Sequence, residues 1–488
     1  MISFLKNGLS LDYRAIALMR IALSVAVILD IFIRWSDLSA FYIDDGILPR
    51  QMLNEYAGLY WKEFSFSVLT ISGSAWVQHI LFGAALISAS MVLIGHKTRL
   101  FTVLTWIWLI SVQNRAGVIL QSGDDYLRLM FLWGIFLPWG RTFSADSFEK
   151  PKLESNEYFG VSSIAIIVQI VSVYLLGALL KTGPEWHSQG SAIYYALSLD
   201  QMLKPLGSWL YPYAEVLRLS TRLVLFAEYL IPVLLIIPWQ NGFFRKIALI
   251  QIWTLHLAIE FSLQVGLFSF ISIAASMCLL PSDMIDRMSA GLNKLVQKIW
   301  DIFKMLKYTF PYRSPSKDSP PSILVSTFIS ILVLLGLFWN ISKFTGIGEN
   351  ARNEVRPIVH ITGLNQHWGM FAPSVFKDDG WFIYEAKYQD QEIDVKNDGA
   401  PINYDKPEWI VKQHNNSRWR KFGENLIFSE HLPLRDSYCN FILREWNERH
   451  TEPLDTLRVL YMLEKSLPDY RTADIQKEVL CTCTTIEK

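Results

Sequence analysis

The sequence predicts a polytopic, all-α membrane bundle of about nine transmembrane helices, followed by a C-terminal extracytoplasmic domain of mixed α/β or β-rich structure. Of the 488 residues, 51% are hydrophobic and only 18% are charged, whereas soluble domains carry about 25% charged residues. The 18 Trp and 20 Tyr suit a chain that needs amphipathic side chains at two bilayer interfaces. Beyond about residue 343, long apolar runs give way to short alternating stretches typical of strands.

The membrane helices are predicted from apolar runs of about 20 residues, the length that crosses the hydrocarbon core. We predict spans at about 13–34, 75–95, 99–120, 124–140, 161–180, 221–239, 245–262, 264–281 and 322–341. The seventh and eighth spans are nearly continuous and are interpreted as a helical hairpin that bends at Gln264 to Gly266. The first run lacks a small-residue cleavage site, so it is expected to remain as a signal anchor.

The orientation follows from the basic residues of the short loops. They cluster between spans two and three, after spans four and six, and before span nine: His96, Lys97, Arg99, Arg141, Lys150, Lys152, Arg245, Lys246, Arg287, Lys294, Lys298, Lys304, Lys307, Arg313 and Lys317. With nine spans all of these lie on one side, which the positive-inside rule predicts to be cytoplasmic. The N-terminus is then inside, and the loops 35–74, 121–124 and 181–220 lie outside together with the tail.

The predicted domains are a membrane bundle (1–282), a cytoplasmic amphipathic helix with a linker (283–320), the last span (321–343) and the extracytoplasmic domain (344–488). Within the second, 284–308 has apolar residues at helical spacing opposite lysines, which indicates an interfacial helix. The alternative is a soluble helix packed on another domain. In the last domain, "GWFIYEAKY" and "QEIDVK" predict strands, and 453–466 predicts a helix.

Charge and cysteine content exclude some functions. The formal net charge is zero and the pI is about 7.1, so nucleic-acid binding is not expected. The four cysteines lack paired C-x-x-C spacing, and no metal site is predicted. Cys439 could pair with Cys481 or Cys483 if the C-terminal end lies in an oxidising compartment.

Ionisable residues inside apolar spans are costly, so each is a candidate for function. Arg20, Asp30 and Glu228 have the alternative interpretation of buried ion pairs that join helices. Asp125 and Arg128 lie at the start of span four. His256 and Glu260 share a helix face at i and i+4, but two such residues are too few for a zinc or iron site.

Lys181 ends an apolar run in "LLKTGPEWHSQGSAIYY", residues 179–195. An amine at the outer mouth of a bundle, close to Trp186, can be desolvated enough to serve as a general base or to form a Schiff base. Lysines also extend towards the interface from helix ends without any chemical role. From the residues alone, both interpretations stay open.

Four motifs in order resemble one family: "RIALSVAVILD", "FYIDDGILPR", "NRAGVILQSGDDYLRLMFLWGIFLPWGR" and "KTGPEWHSQGSAIYYAL". They resemble the HTTM (horizontally transferred transmembrane) domain, the bacterial branch of the vitamin K-dependent gamma-carboxylase-like superfamily. The likeness covers about 13–340, and "NQHWGMFAP…DDGW" is similar to the extension of longer bacterial members.

The resemblance implies an integral-membrane enzyme of the bacterial inner membrane, a lyase that uses a reduced, vitamin K-like quinone. The animal carboxylase couples oxygenation of a reduced quinone to proton abstraction from the γ-carbon of a glutamate, after which CO2 adds. The segment Lys181-Thr-Gly-Pro-Glu185-Trp186 resembles the segment of its base lysine, so Lys181 is implied as the base.

One position departs from the family pattern. Gln113-Asn114-Arg115-Ala116 occupies the place of an Asn-Asn-His-Ser stretch, so Arg115 stands where the family has a histidine. An arginine stays charged and cannot shuttle protons, but it can bind a carboxylate or stabilise an anion. The candidate site residues are therefore Lys181, Asn114 and Arg115 as catalytic residues, with Asp125, Arg128, Glu185, Trp186, His187 and His256 in a substrate or quinone pocket.

The alternative function is a non-carboxylating membrane protein for the maturation or export of a peptide or protein partner, because HTTM members resemble components of such systems. The expected partners are membrane lipid, quinone and a polypeptide substrate at the outer domain. Trp368, Phe371, Trp381 and Trp419 either line a groove for that polypeptide or form the core of the domain. Plain transport is less consistent with the sequence, which shows no inverted repeat.

Overall fold

A computed structural model describes residues 2–55, 65–148, 150–151, 153–288, 322–389 and 391–485. The helices are α1 Ile2–Leu9, α2 Tyr13–Ser36, α3 Leu38–Phe41, α4 Arg50–Glu55, α5 Ala75–Ile94, α6 Thr98–Arg115, α7 Ser122–Gly134, α8 Val161–Leu180, α9 Ala192–Leu197, α10 Pro205–Leu210, α11 Ala214–Ile236, α12 Asn241–Ser262, α13 Phe268–Ser276, α14 Ser282–Met288, α15 Ile323–Thr345, α16 Glu349–Ile361, α17 Ser417–Ile427 and α18 Leu432–Arg449. The strands are β1 Leu11–Asp12, β2 Glu157–Tyr158, β3 Asp378–Tyr388, β4 Gln391–Asp394, β5 Ala400–Pro401, β6 Thr456–Lys465 and β7 Gln476–Thr484.

Five of the described helices are long and apolar enough by themselves to cross a membrane, namely α2, α5, α8, α11 and α15. The other predicted spans also fall on helices, but α7 has only 13 residues, and α13 bends by 109° into α14. The predicted hairpin is present, since α12 and α13 are separated by a turn in which Gly266 has a φ of +66°. The predicted interfacial helix lies largely outside the described residues.

Local sequence signals explain several helix ends. The Asp12 side chain accepts a hydrogen bond from the Arg14 backbone N–H and begins α2. Gly95, with a φ of +74°, ends α5 in the left-handed conformation that glycine tolerates. Ser322 caps the start of α15, and Gly346 ends it.

The bundle packs α2 against α5 and α13, α6 against α5 and α7, and α8 against α11 and α15. The loops rich in basic residues gather at one end, where Asp146 bonds the start of α6 and Arg245 donates to the carbonyls of Gly8 and Ser10. The loops that follow α2, α6 and α8 gather at the other end, against the C-terminal domain. The structure thus places the basic loops and the remaining loops at opposite ends of the bundle, which is the division that the charge pattern predicts.

The C-terminal domain is an antiparallel sheet in the order β5-β4-β3-β6-β7, with α18 packed on β6 and β7. The two predicted strands are confirmed as β3 and β4. A disulfide joins Cys439 of α18 to Cys483 of β7. Trp368 and Trp381 are 1% and 0% exposed, so both belong to the core and do not line a groove.

The predicted helix at 453–466 is wrong, because these residues form β6 in the middle of the sheet. Leu457 and Val459 face the core shared with α18, whereas Leu460 and Met462 pack with Trp381 in a second apolar cluster. A strand that is buried on both faces has no alternation of apolar and polar residues. The spacing of its apolar residues can therefore resemble that of a helix.

Candidate functional site

Lys181 lies at the C-terminal end of α8, with its side chain buried between helices. Its Nζ donates to both carboxylate oxygens of Glu228 on α11, at 2.9 and 2.7 Å, and lies 3.4 Å from the carbonyl oxygen of Gly177. The side chains of Lys181 and Glu228 are 4% and 12% exposed. A desolvated ammonium is stable only when it is paired, and Glu228 supplies the pair.

The loop after α8 covers this ion pair with aromatic surface. The Lys181 Nζ lies 5.0 Å from the ring centroid of Trp186, within the range of a cation–π contact. The ring of His187 bonds back to the carbonyl oxygen of Lys181 at 2.8 Å, which fixes the first turn of the loop. We call Lys181, Glu228, Gly177 and Trp186 the lysine site.

A second polar group lies further along α8, inside the bundle. The hydroxyl of Tyr174 is 3.0 Å from Nε2 of His256 on α12, and Tyr126 of α7 is close enough to Tyr174 to interact electrostatically with it. The Oη of Tyr126 and the Nδ1 of His256 are buried without a hydrogen-bond partner among the described residues. Such atoms are unusual in a protein interior.

The C-terminal extension covers the lysine site with residues 363–377, which we call the strap. Trp186 donates its indole N–H to the carbonyl of Phe371 at 2.9 Å, and the backbone N–H of Gly183 donates to Pro373 at 2.8 Å. A Cβ atom on Gly183 would lie 2.3 Å from the Ser374 hydroxyl oxygen, so only glycine allows the loop and the strap to come this close.

An ion pair completes the contact between loop and strap. Lys377 lies 2.7 Å from Glu185, and this partner keeps the pKa of the Glu185 carboxyl below its usual range against the opposing effect of burial. The carbonyl oxygen of Trp368 lies near Gly177, since a Cβ there would be 3.8 Å from this oxygen and 3.9 Å from the Lys181 Nζ. The strap is therefore part of the wall around the lysine.

The candidate residues Asp125 and Arg128 hold the strap from the other side. Arg128 bonds Asp125 at 2.9 Å and donates to the carbonyl oxygens of Gly363, at 2.9 Å, and Asn365. It also donates to the side chain of Gln113. With these acceptors, Arg128 positions the backbone of the strap.

Asn114 and Arg115 contact other loops. Asn114 donates to the carbonyl of Phe66 at 2.9 Å, and Arg115 donates to the carbonyl of Leu48 at 2.7 Å. Neither shares a described hydrogen bond or ion pair with Lys181. The structure thus brings Lys181, Trp186, His187 and Glu185 together in one loop, whereas Arg115 lies beside the loop 41–50.

A separate group of four buried charges lies where α17 meets the bundle. Arg34 bonds Asp30 at 2.8 Å and Asp124 at 2.6 Å, and Arg418 of α17 bonds Asp30 and, at 2.8 Å, Asp124. We call these four residues the arginine network. Its two positive and two negative charges are balanced, so the buried-ion-pair interpretation of Asp30 is confirmed. Arg20 instead donates to the carbonyl oxygens of Val92 and Phe143.

Glu260 does not act together with His256, although both lie on α12. Its carboxylate bonds Lys204 at 2.7 Å, whereas His256 faces Tyr174. Among the described residues, no cluster of three or more His, Cys, Asp or Glu side chains could hold a metal ion.

The sequence model of the HTTM domain matches residues 10–283, which is more than half of the 488 residues. The chain belongs to the HTTM domain family. In this HTTM protein the match ends within α14, so the strap and the whole C-terminal sheet lie beyond it. Comparisons with curated proteins and with solved structures give no match.

Three residues that make the contacts described above are not identified from the sequence alone. Glu228 stands out as an ionisable residue within a span, but nothing in the sequence pairs it with Lys181. Tyr174 lies seven residues before Lys181, which puts both on the same face of α8. Arg418 follows the polar stretch "KQHNNS", which resembles an exposed turn.

Proposed function

We propose that this HTTM protein is an integral-membrane enzyme in which Lys181 abstracts a proton from a carbon of its substrate, as a step of quinol-coupled carboxylation at the outer membrane face. The observation that carries the proposal is the buried amine itself. Lys181 is held at 2.7 Å from Glu228 under the ring of Trp186. An ionisable residue buried in a membrane bundle and held by a specific charged partner is a candidate for function.

Each group of the lysine site has a role in such a step. In its neutral form, the Lys181 amine accepts the proton from the substrate carbon, and Glu228 then stabilises the ammonium that forms. Trp186 and the strap exclude bulk water, which strengthens the electrostatic interaction inside the site. Catalytic roles for Asn114 and Arg115 stay predictions, since their described contacts lie elsewhere.

The unpartnered Oη of Tyr126 and Nδ1 of His256 fit a reduced quinone, whose hydroxyl groups both donate and accept hydrogen bonds. Tyr126 and His256 would be the residues that hold it, through hydrogen bonds to these hydroxyl groups. When bound there, a reduced quinone would supply, on oxidation by oxygen, a strong base for the reaction.

The proposal includes an inner-membrane location with the N-terminus in the cytoplasm and the C-terminal domain outside. The disulfide between Cys439 and Cys483 supports the outer placement, since disulfides persist in oxidising compartments. A polypeptide is the proposed substrate, bound where the outer domain meets the site.

The alternative is a non-carboxylating protein for the maturation or export of a peptide or protein partner. One observation favours it: Lys181 and Glu228 neutralise each other completely, as a purely structural ion pair would. In that case the pair would join α8 to α11 and the strap would be a docking surface.

Mass spectrometry of cells that contain the wild-type chain or its Lys181→Gln variant distinguishes the two functions. If the chain is a carboxylase, proteins that gain the mass of one carboxyl group are present with the wild type and absent with the variant, at equal membrane expression. Lys204→Gln is the matched control, because Lys204 also pairs with a glutamate, at 2.7 Å, but lies outside the site. Carboxylated proteins that persist with Lys181→Gln would exclude Lys181 as the base.

A further inference from the structure

Arg115 carries a positive charge that the described structure does not neutralise. Its side chain is fully buried. Nη2 donates to the carbonyl oxygen of Leu48 at 2.7 Å, whereas Nε and Nη1 have no hydrogen-bond partner among the described residues. A buried guanidinium with unused donors is costly, and such a group calls for an explanation, such as a bound ion or water.

Other buried arginines of the described chain show how this cost is normally avoided. Arg20 and Arg245 each use both terminal nitrogens on backbone carbonyls and leave only Nε without a partner. Arg34 and Arg418 are paired with carboxylates. Arg115 differs from all of them, because a terminal nitrogen of its guanidinium lacks an acceptor.

The carboxylate of Asp44 does not fill this role. Asp44 interacts electrostatically with Arg115, but its oxygens bond Arg50 at 2.6 to 3.0 Å. The Asp44–Arg50 pair is neutral as a unit, so among the described residues Arg115 contributes one uncompensated positive charge. An anion with one negative charge would balance it, whereas the nearby Asp44 carboxylate disfavours an anion with two negative charges.

We propose that Arg115 anchors a binding site for one compact monoanion, which accepts hydrogen bonds from Nε and Nη1 beside Leu48. Full burial restricts the occupant to small anions such as formate or chloride. The site is separate from the lysine site, so its test needs no turnover and is independent of the proposed function.

Thermal unfolding of the purified full-length protein in detergent tests the site. The anion is varied from sodium gluconate, which is too bulky to enter, to sodium formate at constant ionic strength. Unfolding is followed with a dye that reacts with the buried free thiols of Cys278 and Cys481. Because a ligand of the native state stabilises it by mass action, we expect the midpoint to rise by about 1–3 °C per tenfold increase in formate above its Kd.

The Arg115→Met variant should show no formate response. In gluconate it should unfold at or above the wild-type midpoint, because it lacks the uncompensated charge. Arg245→Met is the matched control: it should unfold at a lower temperature but keep the wild-type formate response, because both terminal nitrogens of Arg245 serve backbone carbonyls.

A direct measurement keeps the proposal testable if Arg115→Met does not fold. In crystals of the wild-type protein grown with sodium bromide, anomalous scattering should locate a bromide within hydrogen-bonding distance of Nε or Nη1 of Arg115. A wild-type midpoint that does not change with formate, an equal response in Arg115→Met, or bromide sites only elsewhere would each overturn the proposal.

Discussion

Two of the contacts between the C-terminal extension and the membrane bundle differ in their electrostatics. At the arginine network, Arg418 enters between α2 and α7 and completes a balanced set of four buried charges. At the lysine site, the strap makes mainly backbone contacts to the loop after α8, together with the partly exposed Lys377–Glu185 pair.

The two contacts also differ in whether the polar groups around them have hydrogen-bond or ion-pair partners. In the arginine network each carboxylate bonds both arginines, so every charge has its partners. Near the lysine site, Tyr126 and His256 keep unpartnered polar atoms, and the Lys181–Glu228 pair is neutral without help from the extension. The difference indicates that the arginine network anchors the extension, whereas the polar groups around the lysine site do not depend on the extension for their pairing.

The largest expected effect is on the arginine network. Arg418→Met should lower the free energy of unfolding by about 3–5 kcal/mol, because it leaves Asp30 and Asp124 with only Arg34 between them. Thermal unfolding of the purified protein measures this. Arg420→Met, on the same helix but paired with Glu424, should cost far less.

Removing the one carboxylate that is then in excess should recover part of the lost stability. Asp30→Asn in the Arg418→Met background restores the balance between the remaining charges, so the double variant should be more stable than Arg418→Met alone. A double variant that is less stable by the full sum of the single effects would show that these residues act independently and that the network is not the anchor.

A smaller effect is expected at the lysine site. Lys181→Met and Glu228→Gln should each cost about 1–3 kcal/mol, because each leaves one buried polar partner unpaired. The double variant should cost less than the sum, with a coupling free energy of about 1–3 kcal/mol. Chemical denaturation of the four proteins in detergent completes the cycle.

The Lys204–Glu260 pair provides the comparison for that cycle. Its side chains are 28% and 37% exposed, so its coupling free energy should fall below about 1 kcal/mol. If the two cycles give equal coupling, burial does not set the lysine site apart from an ordinary surface ion pair.

The sequence predicts those features that depend on local patterns. Hydropathy locates the helices, five of which are long and apolar enough by themselves to cross a membrane, and the Gly266 turn separates α12 from α13 as expected. The position of Lys181 at the end of α8 follows from the end of an apolar run. These properties depend on residues close together in the chain, which is why a single sequence reveals them.

The rest depends on contacts between distant residues. Arg418 reaches Asp30 across 388 positions of the chain, and a polar turn gives no sign of the bundle carboxylates that it meets. The pairing of Lys181 with Glu228 depends on how α8 packs against α11. The sequence predicts a helix where β6 lies, because burial on both faces removes the alternation of apolar and polar residues that identifies a strand.

The smallest expected effect concerns the contact of the sheet with the loop after α9. Asp379 of β3 accepts a hydrogen bond from the backbone N–H of Asp200 at 2.7 Å. Burial, together with the neighbouring Asp200 carboxylate, raises the pKa of Asp379 to about 7 against the effect of its backbone hydrogen bonds. Lys406 bonds Asp200 at 2.7 Å and also bonds Glu464.

The raised pKa of Asp379 determines whether stability rises or falls with pH. Because the native carboxyl binds its proton more tightly than the unfolded one, its contribution to stability is fully present below about pH 4 and is lost as the pH rises through about 7. Between pH 6 and 8 we expect the unfolding midpoint to fall by about 1–3 °C. Asp379→Asn should remove this slope, and the same slope in both proteins would assign it to another group. A slope that depends on Asp379 would show that the contact between the sheet and the loop after α9, unlike the arginine network, responds to pH near neutrality.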